Sequence, residues 1–200
     1  MWVSIIGPEG SCRDAIAKQL CDEDGFVLHV MPFYNVPEDI WKKVDLLLDY
    51  YDKQFEVQNK ADEDYVTVGT FWDIHRVTNM VMEKFHYITS EEFKIMDRIH
   101  STLEKSLLPP DAIICCESTC IEIHNRRALL GVDNEGDEYI NAMIEKFKEL
   151  SGKIVVPMID VDVVRPIDQV MEDVKHGVAC ARGSMGRRNS IWERRIFKSV

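Results

Sequence analysis

The residues with the clearest chemical potential lie near the start of the chain, where an apolar run, a glycine-bearing turn and an amphipathic stretch follow one another. Residues 2–6 read as a short strand, residues 7–14 as the turn and residues 15–20 as the beginning of a helix. In such a unit, backbone N–H groups and the N-terminus of the helix face a bound anion. We therefore expect a phosphate-binding loop, although its glycines could simply make a tight turn; the candidate contacts are Gly7, Gly10, Ser11, Cys12, Arg13 and Asp14.

The loop follows only part of the Walker pattern, in which Gly and four further residues precede Gly-Lys-Ser/Thr. Gly7 occupies the first position, but the last three positions hold Cys12, Arg13 and Asp14. The scaffold of a phosphate site is therefore present, while its chemistry is altered.

Composition and charge restrict the class of protein. The 200 residues suit a single domain with a full core, and no apolar run approaches the roughly 20 residues of a membrane span. No signal peptide is recognisable, so we expect a cytoplasmic protein. The net charge of -11 argues against a general nucleic-acid binder, but the charge is uneven, because residues 181–200 carry +5. We therefore expect a domain at residues 1–180 and a basic, flexible tail at residues 181–200 that could contact a protein partner.

The spacing of cysteine and histidine gives no metal signal. The six cysteines show no paired CxxC motif with histidines, and the six histidines show no HxxxH or HExxH spacing. We therefore expect reduced structural thiols and no metal site built on histidine.

Apolar runs alternate with helical patterns along the whole chain. Strands are predicted at residues 2–6, 26–31, 65–69, 111–116 and 153–159, and the helices between and after them include residues 36–51, 73–86, 89–107, 122–130, 137–150 and 167–176. Such alternation is typical of a parallel sheet whose right-handed crossovers place helices on both faces. The predicted fold is an α/β three-layer sandwich with a central five-stranded parallel sheet, and its ligands should lie beyond the carboxyl ends of the strands.

The order and spacing of these pieces resemble the deoxynucleoside kinase family, within the wider group of nucleoside and nucleoside-monophosphate kinases that includes thymidylate kinase. The resemblance covers roughly residues 2–175, and its segments are the loop at Gly7 and residues 108–114, 123–127, 138–150 and 155–160. It implies a P-loop kinase fold, ATP and Mg²⁺ as cofactors, and a nucleoside or nucleoside monophosphate as acceptor. Members of the family are commonly homodimers.

The resemblance assigns roles to the rewritten loop. Arg13 stands where the family has the lysine that holds the β- and γ-phosphates; it keeps the charge and can bind phosphate through two N–H groups. Asp14 replaces a Ser/Thr magnesium ligand, and a carboxylate can bind Mg²⁺, although a plain acidic residue at a helix N-terminus is the alternative. Cys12 replaces a glycine, so its Cβ should restrict the loop. We expect phosphate binding to be retained but weakened.

Other motifs of the family are missing or changed. At the end of the second strand the family has a Glu that acts as base on the sugar hydroxyl, whereas this chain has Met-Pro at 31–32. After the third strand the family has an acid, Arg and Ser, whereas this chain has Gly-Thr-Phe at 69–71. Arg76 matches a family arginine but follows His75 instead of Asp. Arg76 is a candidate substrate-binding residue, as is Trp72, which could stack on a base or lie in the core.

The arginines of the family's lid are kept. Arg126 and Arg127 stand where these kinases place arginines that neutralise the transferring phosphoryl group. With Arg13 they are the candidate catalytic residues, and a solvated basic pair on a helix is the alternative for Arg126 and Arg127.

Two functions follow from this pattern. The first is a pseudoenzyme, a weak or inactive kinase that serves as a nucleotide-binding or assembly module, because the residues that an active kinase can least lose are lost together. The alternative is an active deoxynucleoside or dNMP kinase that transfers phosphate from ATP with Mg²⁺, since such catalysis is mostly positioning and charge neutralisation.

Overall fold

Five parallel strands form the sheet, and the first strand of the chain lies at its centre. The computed structural model describes residues 1–31, 39–59, 63–131, 135–151 and 156–196. The strands are β1 (Trp2–Ile6), β2 (Val27–His29), β3 (Tyr65–Val68), β4 (Ala112–Glu117) and β5 (Met158–Asp162). Their spatial order is β2–β3–β1–β4–β5, and each neighbouring pair is parallel.

Helices cover the sheet and follow the local signals of the sequence. Their bounds are α1 (Arg13–Asp24), α2 (Ile40–Gln58), α3 (Phe71–Asp73), a π-helical turn (Ile74–Asn79), α4 (Met80–Lys84), α5 (Ser90–Leu103), a 3₁₀ turn (Glu104–Ser106), α6 (Cys120–Leu130), α7 (Asp137–Ser151) and α8 (Ile167–Ile196). The predicted capping box at the start of α5 is confirmed, because Thr89 accepts a bond from the N–H of Glu92 while Glu92 accepts one from the N–H of Thr89.

Apolar side chains alternate between the two faces of the sheet, as the pleat requires. On one face the strands pack against α1 and α8, and the buried residues there include Val3, Ile5, Ile16, Leu20, Ile114, Val161, Val170 and Val174. On the other face β1 and β4 pack against the π-helical turn and α7, through Ile6, Val77, Ile113, Cys115, Phe147 and Leu150. The predicted three-layer sandwich with a five-stranded parallel sheet is therefore confirmed.

Several predicted elements have other bounds in the structure. The fifth strand is predicted at residues 153–159, of which 153–155 lie outside the described residues; the described strand is Met158–Asp162, because β4 extends to Glu117 and pairs with it as far as Asp162. The second strand is predicted at residues 26–31 but forms at Val27–His29, and the helix predicted to end at residue 51 continues to Gln58. The last helix is predicted to end at His176 but continues to Ile196. The predicted start of α2, at residue 36, lies outside the described residues.

The length of α8 has a packing explanation at one of its glycines. A Cβ at Gly177 would come within 2.7 Å of the side chain of Ile159. Glycine at this position therefore allows α8 to lie close against β5, and the helix continues through it.

The division into a domain at residues 1–180 and a tail at 181–200 stays a prediction. Within the described ranges, none of the helices combines the length and apolarity of a transmembrane span.

All six cysteines are free thiols, as expected. Cys115 and Cys116 are buried on opposite faces of β4, and burial raises the pKa of Cys115 to about 12. Both thiols are therefore protonated, structural groups at neutral pH.

Candidate active site

The loop between β1 and α1 turns sharply beside the end of β4. Gly7 has φ +148°, and a Cβ there would meet Ser11 Oγ at 2.7 Å and the carbonyl oxygen of Cys116 at 3.0 Å. The hydroxyl and the backbone N–H of Ser11 both donate to the carbonyl oxygen of Pro8, at 2.6 and 3.1 Å. The loop is thus a tight, internally bonded turn whose first position requires glycine.

The position where the family has a glycine keeps a glycine-like backbone although it holds a cysteine. Cys12 lies in the left-handed region, with φ 61° and ψ 12°, immediately before the first residue of α1. An L-residue in this conformation costs roughly 1–2 kcal/mol. The Cβ of Cys12 therefore strains the backbone of the loop, but the backbone keeps the left-handed conformation that favours glycine.

A cavity of about 360 Å³ lies at the carboxyl edge of the sheet, in front of this loop. The residues that line it come from the loop, α1, the end of β2, α2, β3, the segment after β3, α6 and α7, and they include Gly7, Glu9, Arg13, Asp14, Met31, Tyr50, Asp73, Arg127, Glu135 and Tyr139. This volume is within the range of small-molecule sites. The cavity occupies the place that the strand order predicts for a ligand.

Arg13 brings a positive charge into the cavity at the N-terminus of α1. It is the first residue of the helix, it is partly buried, and no hydrogen bond or ion pair joins its guanidinium to another described residue. Its charge nevertheless acts on the buried groups Tyr50 and Asp73 across the cavity. A guanidinium next to free helical N–H groups is suited to bind an anion.

Asp73 and Tyr50 are two buried titratable residues on the cavity wall. Asp73 Oδ1 accepts bonds from the N–H and the hydroxyl of Thr70, at 2.5 and 2.7 Å, in a capping box at the start of α3. Burial raises the pKa of Asp73, while the bonds from Thr70 and the charge of Arg13 oppose the rise. Burial, and then the charge of Asp73, holds the pKa of Tyr50 well above its ordinary value. A carboxyl group with a raised pKa in a cleft is a candidate acid or base.

The raised pKa of Asp73 leads to a prediction about stability and pH. Because the native state binds this proton more tightly than the unfolded chain, the contribution of Asp73 to stability falls as pH rises from the ordinary value of 3.8 through the raised native pKa. In Asp73→Asn this dependence should be absent, so the variant should gain stability relative to the wild type over that window. Urea unfolding at a series of pH values measures the difference. Parallel curves for the two proteins would contradict the shift.

Arg126 and Arg127, the two candidate catalytic arginines of α6, have separate partners. Arg127 is buried, lines the cavity, and forms ion pairs with Glu135 Oε2 at 2.6 Å and Glu9 Oε2 at 3.7 Å. Arg126 donates to the carbonyl oxygens of Val163 and Gly10, at 2.6 and 3.4 Å, and forms an ion pair with Glu122 Oε2 of its own helix at 3.5 Å. Arg127 therefore faces the cavity with acidic neighbours, whereas Arg126 ties the loop to the segment after β5.

The remaining predicted site residues are spread more widely. Asp14 is exposed in the first turn of α1 and lines the cavity, and Gly10 packs beside Ile123 and Arg127. The cavity lining includes neither Trp72 nor Arg76. Trp72 packs against an apolar cluster under α2 and α5, and Arg76 is exposed and paired with Glu104 at 2.9 Å. A role in substrate binding stays a prediction for both.

Sequence reasoning missed several residues of the cavity wall, chiefly Tyr50, Asp73, Glu9 and Glu135. A local signal existed for Asp73, because Thr70 and Asp73 have the spacing of a capping box. Glu135 lies 126 positions after Glu9, and no local pattern joins the two acids at Arg127.

The end of β2 supplies apolar groups to the cavity. Val30 and Met31 follow β2 and line the cavity, and neither offers a carboxylate. Asp39, an acid near in sequence, accepts bonds from the N–H groups of Trp41 and Lys42 as the cap of α2. Glu38 lies outside the described residues.

Solved structures of deoxyadenosine kinase are similar to this chain. The structure of deoxyadenosine kinase from M. mycoides with bound dATP has a TM-score of 0.74 at 16% identity, over 90% of this chain and 100% of that chain. Structures with the products dCMP and a flexible dCDP, and with bound dCTP, have TM-scores of 0.67 and 0.66 at 13% and 15% identity, with the same coverage. No protein-family model matches the chain, and neither does any curated protein sequence. The likeness shows the fold, which is that of a deoxynucleoside-kinase-like P-loop protein.

Proposed function

We propose that this chain is a nucleotide-binding protein built on the deoxynucleoside-kinase fold, with rewritten catalytic positions, so that it transfers phosphate weakly or not at all. The observation that carries the proposal is the position of Arg13. Its guanidinium lines the cavity at the N-terminus of α1, and no described residue pairs with it.

Phosphate binding is supported by the way the loop, α1 and Arg13 converge. The first N–H groups of α1 have no partner within the helix, and the positive end of the helix dipole favours a negative charge. Arg13 adds a guanidinium that can bind two phosphate oxygens at once. Exposed Asp14 would be the residue that holds Mg²⁺, an ion that would offset the negative charge of the phosphates.

Weak or absent transfer is supported by three features of the cavity wall. The resemblance puts Met31 and Pro32 where the family has its carboxylate base; Pro32 lies outside the described residues, and Val30 and Met31, which line the cavity, offer no carboxylate. Arg127, the lid arginine on the cavity, already has Glu135 and Glu9 as partners, so a phosphoryl group would have to compete with two carboxylates. Glu9 itself lines the cavity and repels a phosphate.

Asp73 favours the alternative of an active kinase. It is a buried carboxyl group on the cavity wall whose pKa is raised, and it stands opposite Arg13. A raised pKa brings a carboxylate closer to the value that suits a general base. In this alternative Asp73 takes the role of the missing base at the end of β2.

Thermal unfolding with Mg²⁺ and one nucleotide at a time tests the proposal. A ligand at about 100 times its dissociation constant stabilises the native state by about 2.7 kcal/mol, which is about 5–10 °C for a domain of this size. We expect such a shift with a nucleoside di- or triphosphate and a smaller one with the matching nucleoside. A turnover assay with the nucleotide that binds then separates the two functions, because only an active kinase forms the phosphorylated acceptor. No shift with any nucleotide would overturn the proposal.

A further inference from the structure

Three side chains with metal-binding atoms meet between α6 and α7. Cys120 and His124 lie one turn apart on α6, and Asp137 is the first residue of α7. His124 Nε2 is 2.9 Å from Asp137 Oδ1, and the ligand atoms of all three residues lie within 4.8 Å of one another. Cys120 and His124 are partly buried and Asp137 is exposed, so the cluster is anchored on the helices and open to solvent.

We propose that Cys120, His124 and Asp137 bind one Zn²⁺ ion, with water as the fourth ligand. A thiolate, an imidazole and a carboxylate are the donors that Zn²⁺ prefers, and a set of three protein ligands with one open position recurs in zinc sites. With zinc–ligand distances of about 2.0–2.3 Å, neighbouring donor atoms in a tetrahedral site lie about 3.5 Å apart. The longest separation within the cluster, up to 4.8 Å, must therefore shorten by about 1.3 Å when the ion binds.

The ordinary interpretation of these contacts is an ion pair at a helix N-terminus. His124 and Asp137 alone would satisfy it, but Cys120 brings a third donor atom to the same point, and its Sγ lies 3.9 Å from the carbonyl oxygen of Asp137. When the ion binds, the thiol proton of Cys120 passes to solvent and the sulfur binds as thiolate.

A second cysteine–histidine pair lacks, among the described residues, the third donor that Asp137 gives the cluster. His176 and Cys180 lie one turn apart on α8 with Nε2 and Sγ 3.7 Å apart, and in the described part of the chain they belong to no group of three such ligands. This pair has the same residue types and the same spacing along a helix. It is therefore a matched control for two-ligand or adventitious binding.

The ion would join two walls of the cavity. α6 contributes Ile123 and Arg127 to the lining, and α7 contributes Tyr139 and Ile140. A bond from each helix to one ion holds these side chains in a fixed relation. The site is distinct from the phosphate loop, so its existence does not depend on nucleotide binding.

A Co²⁺ titration of the full chain, reduced with a phosphine that does not chelate metal, tests the proposal. Co²⁺ replaces Zn²⁺ in tetrahedral sites and shows sulfur-to-cobalt charge transfer together with intense visible bands. We expect one equivalent to bind, and Zn²⁺ to displace it. Cys120→Ser should lose the charge-transfer band. His124→Gln and Asp137→Asn should each lower the affinity for Co²⁺ by about 10- to 100-fold or more, because mutation of a residue that only hydrogen-bonds to a metal ligand already lowers metal affinity by that factor.

The pair His176 and Cys180 provides the control for this titration. The double variant His176→Gln/Cys180→Ser should bind Co²⁺ as the wild type does, and Mg²⁺, which prefers oxygen ligands, should not displace Co²⁺. If the double variant loses the sulfur band while Cys120→Ser keeps it, or if the wild type shows no band, the proposal is wrong. Asp137→Asn changes an exposed side chain, so it retains the test if Cys120→Ser does not fold. Zn²⁺ at about 100 times its dissociation constant should also raise the unfolding midpoint by about 5–10 °C in the wild type and in the double variant only.

Discussion

Replacing Arg13 by alanine should weaken the binding of ATP about 10- to 100-fold, because hydrogen bonds to a charged group contribute about 1.5–3 kcal/mol. No hydrogen bond or ion pair joins the guanidinium to another described residue, so its removal breaks no such contact within the described part of the chain. Arg13→Lys should keep much of the affinity, since an ammonium at this position also reaches phosphate. Isothermal titration with ATP, ADP and the matching nucleoside measures the effect.

The control for Arg13 lies on the same helix. Lys18 is an exposed residue of α1 outside the cavity lining, and Lys18→Ala removes one positive charge from the chain in the same way. We expect Lys18→Ala to bind ATP as the wild type does, and affinity for the nucleoside to change little in either variant. Equal affinities for ATP in Arg13→Ala and Lys18→Ala would remove Arg13 from the phosphate site.

Replacing Gly7 by alanine should lower the free energy of unfolding by about 2–3 kcal/mol, which corresponds to roughly 4–12 °C in the unfolding midpoint. Its φ of +148° is open to glycine almost alone, and the new Cβ would meet Ser11 Oγ at 2.7 Å and the backbone of Cys116 at 3.0 Å. The loop must then move away from β4, so the variant should also lose affinity for ATP. Urea unfolding and ATP titration of the same samples measure both effects.

Two other glycines separate the causes of that loss. Gly131 has φ +72° with no atom within 4 Å of its ideal Cβ, so Gly131→Ala should cost about 1 kcal/mol from backbone strain alone. Gly183 lies within α8 in open space, so Gly183→Ala should gain about 0.5–1 kcal/mol as a better helix former. A cost at Gly7 no larger than the cost at Gly131 would contradict the close approach of the loop to β4.

Glu9 and Glu135 explain why the fold alone does not decide the activity of this protein. Both acids form ion pairs with Arg127, the predicted catalytic arginine on the cavity wall. The position of Arg127 is readable in the sequence. Whether its positive charge is already balanced by carboxylates depends on Glu9 and Glu135, which the fold brings to it. The same holds for Asp73, whose pKa depends on burial, on the hydrogen bonds from Thr70 and on the charge of Arg13.

The long helix α8 shows where local reading of the sequence goes wrong. Gly177 reads as a helix breaker because glycine lowers helix propensity. In the structure any larger side chain at this position would collide with Ile159. The close packing of α8 against β5 therefore favours a helix here, although the helix propensity of glycine is low. Tertiary contacts of this kind outweigh a propensity difference of about 1 kcal/mol.

Features that depend on neighbours a few residues apart are readable from the amino-acid sequence. These are the strand, turn and helix at residues 2–20, the capping box at Thr89 and Glu92, and the alternation of apolar strands with helices that predicts a parallel sheet. Hydrophobic periodicity, caps and turns act over one or two turns of chain, so they are readable without the fold.

Which chemical groups meet depends on the packing of distant parts of the chain. The order β2–β3–β1–β4–β5 brings Arg13 and Asp73 to the wall of one cavity and Arg127 into ion pairs with Glu9 and Glu135. The packing of α7 against α6 brings Asp137 to Cys120 and His124. These pairings join residues from 8 to 118 positions apart, and their charges, burial and distances arise from strand order and helix packing, which no local pattern encodes.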